Sequence, residues 1–156
     1  MNSTPNHVLP SRPVPAILVG GLIAGTFDLI TAYISYGWNV PRGIASGLLG
    51  PSARQGGLGV YILGIALHFF IALSAAAVYY AVSRKLTFLV DHPAVCGVFF
   101  GIAVFLVMNL IVLPISAIHF RGPYTLRGLI QGLLVHMILI GLPIAFSAHR
   151  FSPEKA

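Results

Sequence analysis

The sequence predicts an all-α fold, an integral membrane bundle of four helices, and three observations carry that prediction. Of the 156 residues 57% are hydrophobic and only 8% charged, with a mean hydropathy of +0.92, far from the composition of a soluble domain. The chain also divides into four apolar runs, each long enough for the roughly 20 residues that a membrane-crossing helix needs, and these runs hold a single charged residue between them, Asp28. Finally, each run carries a ridge of glycine or alanine with one conspicuous polar residue on or beside it: Gly21 and Gly25 with Asp28, Gly64 with His68, Gly97 and Gly101 with Asn109, Gly128 and Gly132 with His136.

Residues 1–13 form an N-terminal tail with three prolines and no hydrophobic period. The first span, about 14–36, is longer than the apolar core of a secretory signal, and its acidic Asp28 argues against that alternative. Residues 37–57 make the longest connection, where Arg42 and Arg54 flank an apolar patch from Ile44 to Leu49 that is too short to cross. An interfacial helix with Trp38 at headgroup depth is the expected form, and re-entry into the membrane is the alternative if protein covers the backbone. The second span, 58–82, stops at Arg84 and Lys85.

Pro93 suits a helix start, so the third span is placed at 94–118. Within it Pro114 cannot donate to the carbonyl of Leu110, which predicts a kink close to Asn109. Ser35 and Ser116 are expected to bond back to carbonyls of their own helices. The fourth span, 128–148, follows a short loop and leaves 149–156 as a C-terminal tail.

Charge excludes more than it assigns. Nine Lys and Arg against three Asp and Glu give +6, but the basic residues sit at the ends of apolar runs, where they meet lipid headgroups, so the lipid bilayer and not nucleic acid is the expected partner. Cys96 is the only cysteine, which rules out an internal disulfide and a thiolate metal cluster. Four spans put both termini on one side. The positive-inside rule makes that side cytoplasmic by one residue, five basic residues (Arg12, Arg84, Lys85, Arg150, Lys155) against four (Arg42, Arg54, Arg121, Arg127).

The segment Asp28-Leu-Ile-Thr-Ala-Tyr-Ile-Ser35 matches Asn109-Leu-Ile-Val-Leu-Pro-Ile-Ser116, and the partner helices match at Gly64/His68 and Gly132/His136. This predicts two parallel helical hairpins related by a pseudo-twofold axis along the membrane normal. A rival match of Arg42–Leu49 with Arg127–Leu134 requires a different register.

Counted from the span ends nearest the two odd-numbered loops, Asp28, His68, Asn109 and His136 all lie about 12–15 Å deep at about 1.5 Å per residue, close to the midplane of a core about 30 Å thick. They form the expected buried polar site. Facing lipid would cost roughly 2.5–3.5 kcal/mol for the aspartate alone, so an interior face is expected.

Three readings fit this layer: proton, cation or small-solute handling; a structural or assembly subunit, as a homo-oligomer or otherwise, in which the polar groups only join helices; and a haem b protein with His68 and His136 as axial ligands. No catalytic residue is assigned. One aspartate and two histidines also make a conceivable metal ligand set, but no further acid or base accompanies them.

The motifs Ala24-Gly25-Thr26-Phe27-Asp28, Ile44-Ala-Ser-Gly-Leu-Leu-Gly50, Leu67-His68-Phe69 and Met108-Asn109-Leu-Ile-Val-Leu-Pro114 resemble those of a family of small four-helix bacterial inner-membrane proteins without an established activity. The resemblance covers residues 20 to 150 and implies a bacterial inner (plasma) membrane location. It implies no substrate.

Overall fold

A computed structural model describes residues 12–152, and its elements are helical throughout. Four helices are long and apolar enough to cross a membrane: α1 (Pro13–Tyr36), α3 (Leu58–Ser83), α5 (Pro93–Ile115) and α6 (Leu126–Arg150). Two shorter helices, α2 (Val40–Leu49) and α4 (Phe88–Asp91), lie in the first and second connections. The chain is therefore a multi-pass membrane protein built as a four-helix bundle. Its outer faces expose large apolar side chains such as Ile34, Phe70, Phe99 and Leu110, as lipid contact requires.

Local chemistry accounts for the boundaries. Prolines open α1 and α5 in the first turn, where a missing N–H has no helical partner to lose. Gly37 and Gly50 end α1 and α2 at φ of 79° and 90°, left-handed values that a side chain would resist. The expected tails lie largely outside the described residues, but α1 begins at Pro13 and α6 runs on to Arg150. The third span ends at Ile115 rather than 118, because Ser116 turns to extended backbone and its Oγ donates to Leu113 O at 2.7 Å. The fourth starts at Leu126 rather than 128, because Thr125 Oγ1 caps it by accepting from Gly128 N at 3.1 Å.

Helix α1 packs against both α3 and α6, and α5 packs against α6. The glycines show why. A Cβ on Gly21 would meet Leu73, one on Gly25 would meet Phe69 and Ala72, and one on Gly20 would meet Ser147 and Ile144. Along α5, Cβ atoms on Gly97 and Gly101 would run into the backbone of α6 at Gly141 and His136. Backbones approach this closely only where side chains are absent.

Of the predicted ridge glycines Gly64 and Gly132 are also closely packed, and only Gly128 faces no other helix. Gly64 seats the carbonyl of Pro41 from α2, not a transmembrane helix. Gly128 would bring a Cβ only against its own capping Thr125 Oγ1, at 3.0 Å, and Gly132 would meet the edge of the Phe105 ring at 2.9 Å. Spacing alone marks a small-residue face without saying what lies opposite it.

Helix α2 packs on the bundle through one face. Pro41, Ala45 and Ser46 are buried, and α2 packs along α3 with Pro41 at Gly64, about 9 Å inside the start of α3 at about 1.5 Å per residue. Its far half is held to the end of α5 by Ala117 N donating to Gly47 O at 2.8 Å. Arg42 fastens the start, donating to Gly56 O at 2.6 Å and lying 5.1 Å over the Tyr61 ring.

This wedge breaks the predicted repeat symmetry. A twofold axis that pairs α1 with α5 and α3 with α6 would turn the close α1–α6 seam into an equal α3–α5 seam. Instead α3 and α5 share no comparable seam, and α2, which has no counterpart in the second hairpin, bridges them.

The two ends of the bundle differ. Arg12 N donates to Phe151 O at 3.3 Å, so the ends of the described chain meet at one face, hereafter the terminal end. There the core is dense, with Ala16, Ala76, Tyr79, Ile144, Ala145 and Ala148 almost fully buried. Tyr79 donates to Leu89 O at 2.9 Å and stacks edge-on with Phe100 at 4.9 Å, while Ser147 Oγ ties α6 to Ala16 O of α1 at 2.8 Å. At the opposite, loop end the helices separate.

Candidate functional site: a polar layer lining a cavity at the loop end

Between the separated helices lies a cavity of about 560 Å³. Asp28 of α1, His68 of α3, Asn109 of α5 and His136 of α6 all line it. Counted from the terminal end at about 1.5 Å per residue, the four lie about 21–24 Å up their helices, so they form one layer. Ala75, Val104 and Ile140 make the floor below the layer; above it α2 contributes Val40 and Ile44, and the loop after α5 contributes Phe120 and Tyr124. Thus the cavity extends from mid-bundle towards the loop end only.

Each polar side chain has a distinct set of bonds. His68 Nε2 donates to Gly25 O across the α1–α3 seam at 2.7 Å, a bond that the missing side chain of Gly25 makes accessible. His136 Nδ1 donates to Gly132 O at 2.8 Å within its own helix, and its ring meets Phe105 edge-on at 5.4 Å. Asn109 Nδ2 donates to Phe105 O at 2.9 Å. Asp28 makes no hydrogen bond or ion pair with any described residue. Neither histidine bonds to it, so a direct Asp–His pairing is absent among the described residues.

Pro114 acts as its chemistry predicts, and the backbone answers with an extra residue in the turn. Met108–Val112 is π-helical, and Leu113 N reaches back to Met108 O instead of Asn109 O. The next residue able to serve Asn109 O is Pro114, which has no N–H. Tyr124 supplies the missing donor, its hydroxyl bonding to Asn109 O at 3.2 Å from the loop above. The same device recurs in α6, where His136–Gly141 is π-helical ahead of Pro143 and Leu142 N reaches Met137 O. Two of the four polar residues therefore sit at the start of π-helical turns.

Several cavity residues carry no comparable signal in the sequence. Tyr124 becomes a lid residue only because a distant carbonyl lacks a donor. Pro143 was the visible clue to the second π turn, since Leu142-Pro143-Ile144 repeats Leu113-Pro114-Ile115. Ser116 bonds within its helix as expected, but Ser35 instead accepts from Gln131 Nε2 at 2.7 Å, joining α1 to α6 beside the cavity. Tyr33 and Tyr61 join α1 to α3 at the same end through a 2.9 Å hydroxyl pair.

Among the described residues no group of three or more His, Cys, Asp or Glu side chains is placed to hold a metal ion. No family model, curated protein or solved structure matches the chain.

Proposed function

We propose that this protein is a bacterial inner-membrane protein that takes up a small solute or cation in the loop-end cavity, with Asp28, His68, Asn109 and His136 as its polar contacts. One observation carries the reading: four polar side chains from four different helices line a single cavity of about 560 Å³, and the only charged one of the four, Asp28, has no partner among the described residues. Polar groups that merely joined helices would bond to one another across the seams, and here only His68 does so. The volume falls in the range of small-molecule sites, which are mostly apolar with a few placed polar groups. An intramembrane carboxylate facing such a cavity is by default a site for a proton, a cation or a substrate.

The haem reading requires iron to take a nitrogen from each histidine. His68 Nε2 is held by Gly25 O and His136 Nδ1 by Gly132 O, so bis-histidine ligation would use His68 Nδ1 or break an interhelical bond. This geometry favours a solute over a porphyrin.

Two measurements on purified protein test the proposal. The visible spectrum should lack a Soret band; a band lost in both His68→Ala and His136→Ala would replace the proposal with haem binding. In proteoliposomes, flux of at least one small cation or solute should exceed that of empty vesicles and fall in Asp28→Asn. Wild-type flux no greater than empty vesicles for every solute, with variants that change only folding stability, would leave the layer a purely structural one.

A further inference from the structure

We infer that the ligand of this cavity is a small organic cation with an apolar body, a protonated primary amine. The inference deepens the solute-binding reading and rests on it. It follows from which polar atoms the protein's own hydrogen bonds leave over.

A neutral imidazole has one N–H and one lone pair. A carbonyl only accepts, so the bond to Gly25 O places the proton of His68 on Nε2 and leaves Nδ1 as an acceptor. By the same logic the bond to Gly132 O places the proton of His136 on Nδ1 and leaves Nε2 as an acceptor. Asn109 donates one amide hydrogen to Phe105 O and retains Oδ1. The Asp28 carboxylate only accepts and has no partner among the described residues. What the layer offers a ligand is therefore two carboxylate oxygens, two imidazole lone pairs and an amide oxygen, against a single spare amide N–H.

Charge points the same way, since among the described residues no lysine or arginine lines the cavity and Asp28 is the only carboxylate there. An anion would meet acceptors and a like charge in low dielectric, whereas an ammonium supplies donors and the opposite charge. The remaining wall, including Ile71, Val104, Phe105 and Phe120, is mostly apolar and aromatic, with hydroxyls only from Tyr36, Tyr124 and Thr125 above the layer, the Tyr124 hydroxyl already donating to Asn109 O. It suits a hydrocarbon body and offers ring faces to a cation, while a hydrated inorganic ion would find too few oxygens to replace its water shell.

The test uses the full chain in detergent and isothermal titration with three probes of similar shape: 2-phenylethylammonium, 3-phenylpropanol and 3-phenylpropionate. The ammonium should bind best, and Asp28→Asn should weaken it on the order of thirtyfold or more, the loss expected when one partner of a desolvated charge pair is removed. Asp28→Glu should restore part of the affinity. Asp28 makes no hydrogen bond with any described residue, so the isosteric variant should fold, and Asp28→Ser provides a second neutral variant. Propionate binding as tight as the ammonium, or ammonium affinity unchanged in both neutral variants, would overturn the inference. Alcohol binding without ammonium binding would keep the cavity reading and discard the cation; binding of none of the three would discard both. Displacement of the ammonium by equimolar sodium would identify an inorganic cation and also overturn the inference.

Discussion

Replacing glycine by alanine at positions 64 and 128 should change stability in opposite directions. At Gly64 the new methyl would overlap the Pro41 carbonyl, with the carbonyl carbon and Cα of Pro41 close behind. These are backbone atoms of a helix fastened at both ends, by Arg42 to Gly56 O and by Ala117 to Gly47 O, so no side chain can swing aside. Overpacking of this kind costs about 1–3 kcal/mol, and a rigid backbone contact belongs at the upper end. Alanine recovers about 1 kcal/mol of helix propensity, leaving a net loss of about 2 kcal/mol. At Gly128 the methyl would meet only Thr125 Oγ1 at 3.0 Å, which a small rotation relieves, so the propensity gain should dominate and stability should hold or rise by up to about 1 kcal/mol. Reversible unfolding by SDS titration in mixed micelles measures both. Labelling of a cysteine at Ile44 in a Cys96→Ala background should become faster in the Gly64 variant as α2 lifts from α3. A Gly64→Ala protein as stable as wild type, with unchanged labelling, would refute the claim that α2 is seated on that glycine.

Three further outcomes are expected. Tyr80 is buried with a hydroxyl that has no hydrogen-bond partner among the described residues, so Tyr80→Phe should raise stability by about 1 kcal/mol in the same titration, and a loss would show that the hydroxyl is satisfied. Ser147→Ala removes the buried 2.8 Å bond that ties α6 to Ala16 O and should cost about 0.6–1.7 kcal/mol, the range for interhelical polar contacts in membranes; no change would mean that Ala16 O finds another donor. Tyr124→Phe deprives Asn109 O of its donor, so amide hydrogen exchange should accelerate in the Met108–Val112 turn and in the 119–125 loop while α1 and α3 stay protected. Uniform acceleration would point to global destabilisation instead.

The depth of the polar layer was legible in the sequence because helix rise is fixed: once charge-free runs set the span ends, counting residues placed Asp28, His68, Asn109 and His136 at one level. An interior face followed from the cost of exposing them to lipid, but the cavity did not, and it leaves the four half-buried where a buried site was expected. A disturbed backbone near Asn109 was equally legible, since Pro114 removes a donor wherever it stands, though the structure answers with a π-helical turn that the expected kink did not name. What escaped depends on what lies across a gap. Gly64 and Gly128 look alike in sequence, yet one holds a carbonyl of α2 and the other lies open, and nothing local distinguishes them. The flanking arginines of α2 read as headgroup anchors, whereas Arg42 bonds to Gly56 O and covers Tyr61. Likewise the Ser35 Oγ accepts from Gln131, a partner 96 residues away that no local pattern names.

The π-helical turn in α6 has a consequence for angular phase. An α-helix advances by about 100° per residue, so the nine residues from Gly132 to Gly141 would sweep about 900° and leave the two on opposite sides of the helix. Yet both face α5, Gly132 at the edge of the Phe105 ring and Gly141 against Gly97. One residue absorbed in the widened turn brings the sweep down to about 800°, which returns the pair to within about 80° of each other. Without that residue the helix would have to choose, presenting its cavity-lining face to α5 or its packing face, and turning the other towards lipid. The insertion ahead of Pro143 therefore acts as a phase shift that allows one continuous helix to belong to the solid half of the bundle and to the hollow half at once.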